Sequence, residues 1–276
     1  MLATTTATAT RTEIVRTGRY RAPGVLRSEW TKLRTVRSST WTIAALVGLS
    51  VLIGALVCVS VASNWASMSP IERATFDPTY FSLEGLVFGQ LAVGVLGVMA
   101  MSSEYGTGLI RSTLAAVPNR RLVLGAKATV LGAVVLIVGE VVSFSSFFLG
   151  QAILSGSATS VGVGDPGVAQ AVAFGGLYLT VLALFGLGLG GVVRHTAGAI
   201  TTFVTIVLIA PEIVRLLPAS IGNAIGKFLP SNIGSTLTSV HSVPNQLSPW
   251  VGFGVLCAWA AAALAVGGWL MVRRDA

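Results

Sequence analysis

Charge is what this sequence has least of. Only 10% of its 276 residues are Asp, Glu, Lys or Arg, while 53% are apolar; a soluble globular chain carries roughly 25% charged residues. A water-soluble enzyme or carrier is thereby excluded, and the bilayer is the solvent this chain is written for. Cysteine is nearly absent. Cys58 and Cys257 both fall inside hydrophobic runs, where each reads as a small packing residue. No C-x-x-C and no Cys/His cluster is present, so no metal or redox site is expected. The two histidines, His195 and His241, are assigned to opposite sides of the membrane and cannot form one site.

Catalytic signatures are missing too. There is no H-E-x-x-H and no G-x-S-x-G. The nearest approach to a phosphate cradle, Gly222-Asn-Ala-Ile-Gly226-Lys227-Phe228, is one residue short and lacks the Ser or Thr that would bind magnesium. The expectation is a chain with no catalytic residues, no metal and no cofactor of its own.

What is present is hydrophobic length. Six runs occur: Trp41–Ser63, Leu83–Met101, Leu122–Leu154, Val168–Val193, Ala199–Leu217 and Trp250–Val272. A helix needs ~20 apolar residues to cross the hydrocarbon core. The runs do not alternate as barrel strands would, so helices are the only option. The fold class expected is all-α integral membrane, a single six-span domain over residues 25–276. Residues 1–24 open on a Thr/Ala repeat with no apolar period and are expected to be a disordered tail.

The net charge of +8 suggests nucleic acid in a soluble protein, but here the basic residues flank hydrophobic runs. Topology and anionic lipid explain them better, and no nucleic-acid partner is expected. With the N-terminus inside, 15 of the 18 Lys and Arg residues fall on inner segments, and only Arg73, Arg215 and Lys227 lie outside. Both termini are therefore expected in the cytoplasm. Lys127 is read as snorkelling from the start of the third span.

Before the first span, Val25–Ser39 repeats apolar residues at helical spacing through Leu26, Trp30 and Leu33, with Arg27, Thr31 and Arg34 opposite. A short basic amphipathic helix with a Trp lies in the membrane interface. The longest inner loop, Ser102–Lys127, has four basic residues against the single acid Glu104. Gly106 and Gly108 permit a sharp turn out of the second span. Leu109, Ile110, Leu114 and Val117 then form a helical stripe that Pro118 stops.

Three charges fall within spans. Glu140 lies beyond the midplane of the third, and Glu212 sits near Arg215 at the far end of the fifth. Either Glu140 lies on the substrate path, or Glu140, Glu212 and Arg215 pair, or Glu140 is simply protonated; buried pairing is how such charges are normally made tolerable. Pro211 removes a helix hydrogen bond and bends or gates the fifth span. Gly186, Gly188, Gly190 and Gly191 make a close-packing face on the fourth.

The run Leu26-Arg27-Ser28-Glu29-Trp30-Thr31-Lys32-Leu33-Arg34-Thr35-Val36-Arg37-Ser38-Ser39-Thr40-Trp41 resembles the opening of bacterial ATP-binding-cassette (ABC) type-2 permeases, the membrane subunits of exporters. Glu104-Tyr105-Gly106-Thr107-Gly108, then Leu114 and Pro118-Asn119-Arg120-Arg121, is similar to that family's loop between spans two and three. The resemblance implies an exporter permease in the bacterial cell membrane that pairs with a second permease subunit, as a homodimer or heterodimer. It implies separate ABC ATPase subunits that carry the ATP and magnesium. It makes Val25–Ser39 the interfacial connecting helix and places a coupling helix within Glu104–Arg121, with Glu104, Tyr105, Gly106, Thr107, Gly108, Leu114, Pro118, Arg120 and Arg121 as its residues. The segment around Ile221–Leu229 becomes a short outer re-entrant helix. A non-transporting membrane partner of the same fold, such as an immunity or signalling subunit, is the alternative.

Overall fold

Inside a bilayer no water is available to satisfy backbone N–H and C=O groups, so an apolar run must bond to itself as a helix. The computed structural model describes residues 22–156, 158–241 and 245–273. Among them every regular element is a helix and none is a strand, and six helices have the length and apolarity to cross a membrane. The chain is an all-α, multi-pass membrane protein. The tail expected over residues 1–24 lies mostly outside the described residues.

Helix α1 spans Ala22–Thr35, and α2, Arg37–Asn64, is the first crossing. The single residue between them, Val36, is extended at φ −78° and ψ 114°, so the expected interfacial helix ends four residues earlier than its sequence pattern indicated. A 3-10 turn, Trp65–Ser67, leads into two short helices, α3 (Pro70–Ala74) and α4 (Pro78–Leu83). The second crossing is α5, Leu86–Gly106. The short α6, Leu109–Ala116, joins it to the third, α7, Arg120–Leu154. The fourth is α8, Val168–Val193.

The fifth crossing is composite: α9 (Thr196–Val204), one π-helical stretch (Thr205–Ile209) and α10 (Ala210–Arg215). The π stretch ends two residues before Pro211, which has no N–H to continue the ordinary ladder. The Ala210 N–H reaches back five residues to the Thr205 carbonyl. The span is thus adjusted at Pro211 rather than interrupted. Beyond it lie α11 (Ala219–Gly226) and α12 (Pro230–Leu237). These two replace the one outer helix expected around Ile221–Leu229. The sixth crossing is α13, Pro249–Arg273.

The fourth crossing is the hub, packing on α5, α7 and α13. Its most apolar window is 83% buried, against 22% for the first and fifth crossings. Its glycines explain the close approach, and they divide between two neighbours. A Cβ on Gly186 or Gly190 would lie 2.6 or 2.7 Å from carbonyl oxygens of Gly94 and Val98 on α5. One on Gly188 would lie 2.6 Å from the backbone of Ala263 on α13. Without a hydrophobic force between helices in lipid, such backbone proximity supplies the packing.

Basic side chains gather where α1, α6 and the adjoining helix ends meet; this end is called the basic end below. The opposite end is clasped by Asp77. Its Oδ1 caps α4 by accepting from Thr79 and Tyr80 N–H at 3.0 and 3.1 Å. Its Oδ2 accepts from the Ser239 hydroxyl and from the Val240 and His241 N–H groups at 2.8, 2.7 and 3.2 Å. One carboxylate thereby ties the loop after α12 to the start of α4. Burial would raise the Asp77 pKa, but these hydrogen bonds outweigh it and hold the carboxyl below its ordinary range.

Candidate coupling site at the basic end

The geometry of Ser102–Lys127 starts from one glycine. α5 continues through Gly106, and Gly108 then turns the chain at φ 73°, a left-handed conformation that a side chain disfavours. α6 leaves at once along the end of the bundle. Ile110 plugs its inner face at 2% exposure, and Leu114 and Val117 pack against the core, while Leu109 projects outward. After Pro118, the Asn119 side chain accepts from Leu122 N–H at 3.1 Å and starts α7.

The sequence-predicted coupling residues divide into two sets. Gly106, Thr107, Gly108, Pro118 and Arg121 are exposed. Glu104, Tyr105, Leu114 and Arg120 are turned inward to differing extents. Glu104 enters a network that the sequence did not disclose. The Lys127 ammonium donates to Glu104 Oε1 at 2.6 Å and to Glu29 Oε2 at 2.7 Å. Lys32 donates to the same Glu104 oxygen and to Glu29 Oε1, both at 2.8 Å. Two acids and two bases from α1, α5 and α7 make a neutral, alternating quartet. Lys127 is 2% exposed, Glu29 6% and Glu104 7%, whereas Lys32 at 38% closes the quartet on its wet side. Lys127 therefore does not snorkel to the interface; paired carboxylates make its burial tolerable. Burial alone would lower the Lys32 pKa, but its bonds to Glu104 and Glu29 outweigh that and raise it above the ordinary lysine value.

The quartet also determines which face of α1 is inward. Val25 and Glu29 are the buried residues of that helix. Leu26 and Leu33 are half-buried, and Trp30 remains 48% exposed beside α7. A Trp left open to the surroundings beside basic side chains suits a helix lying at a lipid interface.

A second set of contacts binds the loop to the end of the bundle. The Arg194 guanidinium lies 4.8 Å from the Tyr105 ring centre and donates to the Leu270 carbonyl at 2.9 Å. The Ser102 and Thr196 hydroxyls bond at 2.9 Å. Arg120 donates to the Met271 carbonyl of α13. These bonds join the ends of α5, α7, α9 and α13 and Arg194 after α8, and α6 reaches α1 through the Lys32 ammonium, which donates to the Thr113 hydroxyl at 3.4 Å. Chemically this is a cross-braced joint with an exposed edge, in which each charged group of the quartet has an oppositely charged partner.

The intramembrane charges are not gathered in one place. Glu212 and Arg215 pair at 3.0 Å with side chains 64% and 68% exposed. Glu140 is apart from them, against α8, where it fits because residue 176 is glycine: a Cβ there would lie 2.6 Å from the Glu140 carboxyl carbon. The expected pairing is therefore limited to Glu212 and Arg215, since Glu140 projects elsewhere. The histidines do lie apart: His195 caps α9 by accepting from Gly198 N–H, and His241 adjoins Asp77 at 3.5 Å.

Glu29, Lys32 and Lys127 are the site residues that sequence reasoning missed as a group. The only local signal was Glu29 three residues before Lys32 in an otherwise basic helix. The chain matches no model of a known protein family and no curated protein.

Proposed function

We propose that this chain is the membrane permease subunit of an ATP-driven exporter of the ABC type-2 kind. Two permease subunits enclose one pathway in the bacterial cell membrane. Separate ATPase subunits carry the ATP and magnesium and dock at the basic end, which faces the cytoplasm. The observation that supports this reading is the joint around α6. A short helix with an exposed edge lies between two crossings, α5 and α7, which Glu104 and Lys127 tie through Glu29 to a third element, α1. A displacement of such a helix moves several crossings together, as coupling of ATP binding to alternating access requires. The excess of basic residues at this end supports the orientation.

The reading is tested by capture of ABC ATPase subunits from the native membrane, with the intact protein and with Leu109→Ser/Arg121→Glu, both exposed positions on the loop. The intact chain retains the ATPase and the double variant loses at least about tenfold of it, a loss of ~1.4 kcal/mol. Capture of no ATPase, or equal capture by both proteins, refutes the assignment.

A further inference from the structure

At the end opposite the quartet, α4, α5, α8, the π stretch, α10 and α12 surround a cavity of about 260 Å³. Leu83, Val87, Val207 and Leu208 supply apolar wall. Two polar groups on that wall have bonding capacity to offer a ligand. Gln90 is 2% exposed. Its amide oxygen accepts from the Tyr178 hydroxyl, and among the described residues nothing accepts from its amide nitrogen. Gln90 lines the cavity, so a molecule held there can accept from that nitrogen. Its position is rigid, because Tyr178 is pressed against α12 at Gly234, where a Cβ would come within 2.4 Å of the ring.

The second group is Glu84, in the turn between α4 and α5. It is half-buried, and among the described residues no Lys, Arg or His forms an ion pair with it. The nearby Arg215 is bonded to both carboxylate oxygens of Glu212, at 3.0 and 3.3 Å. Burial raises the Glu84 carboxyl above the usual glutamate range, against hydrogen bonding with Tyr80. With Glu84, Glu212 and Arg215 on its wall, the cavity carries one net negative charge. The floor offers an N–H donor, the wall offers a carboxylate, and the surface between them is apolar and aromatic.

We infer that this cavity binds a small organic cation, an amine that also carries a carbonyl or hydroxyl oxygen. The ammonium group pairs with Glu84, and the oxygen accepts from Gln90. The two contacts are complementary: Glu84 has no cationic partner among the described residues, and the Gln90 amide nitrogen has no protein acceptor there. The inference does not depend on the exporter reading, because binding is measured without an ATPase and without transport.

The test is calorimetric titration of the full chain in lipid nanodiscs with procaine, a cationic amine bearing an ester carbonyl. Empty nanodiscs and ethyl 4-aminobenzoate, which has the ester without the cationic amine, are the comparisons. The intact protein binds procaine saturably, above empty discs and more tightly than the uncharged ester. Glu84→Gln weakens procaine about tenfold, the scale of one charge-assisted contact, and leaves the uncharged ester unchanged. Gln90→Leu weakens both compounds. Gln90→Leu keeps the helical circular dichroism and the elution volume of the intact protein, which separates loss of the donor from loss of the fold. Absence of saturable procaine binding overturns the proposal. So does equal affinity for the two compounds in the intact protein, or undiminished procaine binding by Glu84→Gln.

Discussion

Replacing Lys127 by Met keeps the length of the side chain and removes the most deeply buried cation of the quartet. Glu29 and Glu104 are left facing each other with Lys32 alone between them, and a neutral cluster becomes one with net charge −1. Removing one partner of a buried ion pair costs ~3–5 kcal/mol. Lys32 is 38% exposed, so water reaches one side of the cluster and the lower end, about 3 kcal/mol, applies. That corresponds to roughly 150-fold in the equilibrium for α1 to lift from α5 and α7. Amide hydrogen exchange across α1 in micelles reads this directly, and its rates rise by about two orders of magnitude in the variant. Lys32→Met, on the wet side, raises them only about fivefold, consistent with a partly exposed pair worth ~1 kcal/mol. Adding Glu29→Gln to Lys127→Met restores neutrality and recovers about half of the lost protection on a logarithmic scale. A rise below about fivefold for Lys127→Met, or a larger rise for Lys32→Met, refutes the quartet as the anchor of α1.

The Asp77 clasp has a pH signature. Its carboxyl titrates lower in the folded chain than its ordinary value of 3.8, so its stabilisation is complete above that value and is lost as pH falls through the folded pKa. Exchange at Val240 and His241 N–H stays slow relative to intrinsic rates at pH 5 and accelerates below pH 3.8; in Asp77→Asn that acid step disappears. Glycine packing is tested by Gly97→Ala, whose Cβ would lie 2.0 Å from the Ala183 carbonyl oxygen on α8. It destabilises the bundle by at least ~1–3 kcal/mol in reversible unfolding, as overpacking does. Gly125→Ala, with nothing within 4 Å of its Cβ, is neutral or slightly stabilising.

The spans were legible because crossing a bilayer is a one-dimensional requirement. Val168–Val193 has the same limits in the sequence reading and in the structure, and the other five agree to within five residues at each end. The turn at Gly108 and the stop at Pro118 were legible for a similar reason, since each depends on the backbone preferences of one residue. α1 was legible as a helix but not in its inward face. A search for apolar spacing selects Leu26, Trp30 and Leu33, whereas the structure buries Val25 and Glu29 and leaves Trp30 half open. A buried glutamate is invisible to a hydrophobic pattern, because the cations that justify its burial lie on other helices.

Composition alone determined that the chain lives in lipid, crosses six times and concentrates its basic residues at one end. Backbone hydrogen bonding without water and the length of an apolar run settle those points before any helix meets another. Tertiary structure decided the pairing of charges. Lys127 reaches Glu29 across 98 positions and Glu104 across 23, while Glu140, Glu212 and Arg215 do not form the cluster their shared membrane setting suggested. It also decided that Gln90 and Glu84 line one cavity. A buried charge or amide is stabilised only by atoms within about 3 Å, and only packing determines which atoms those are.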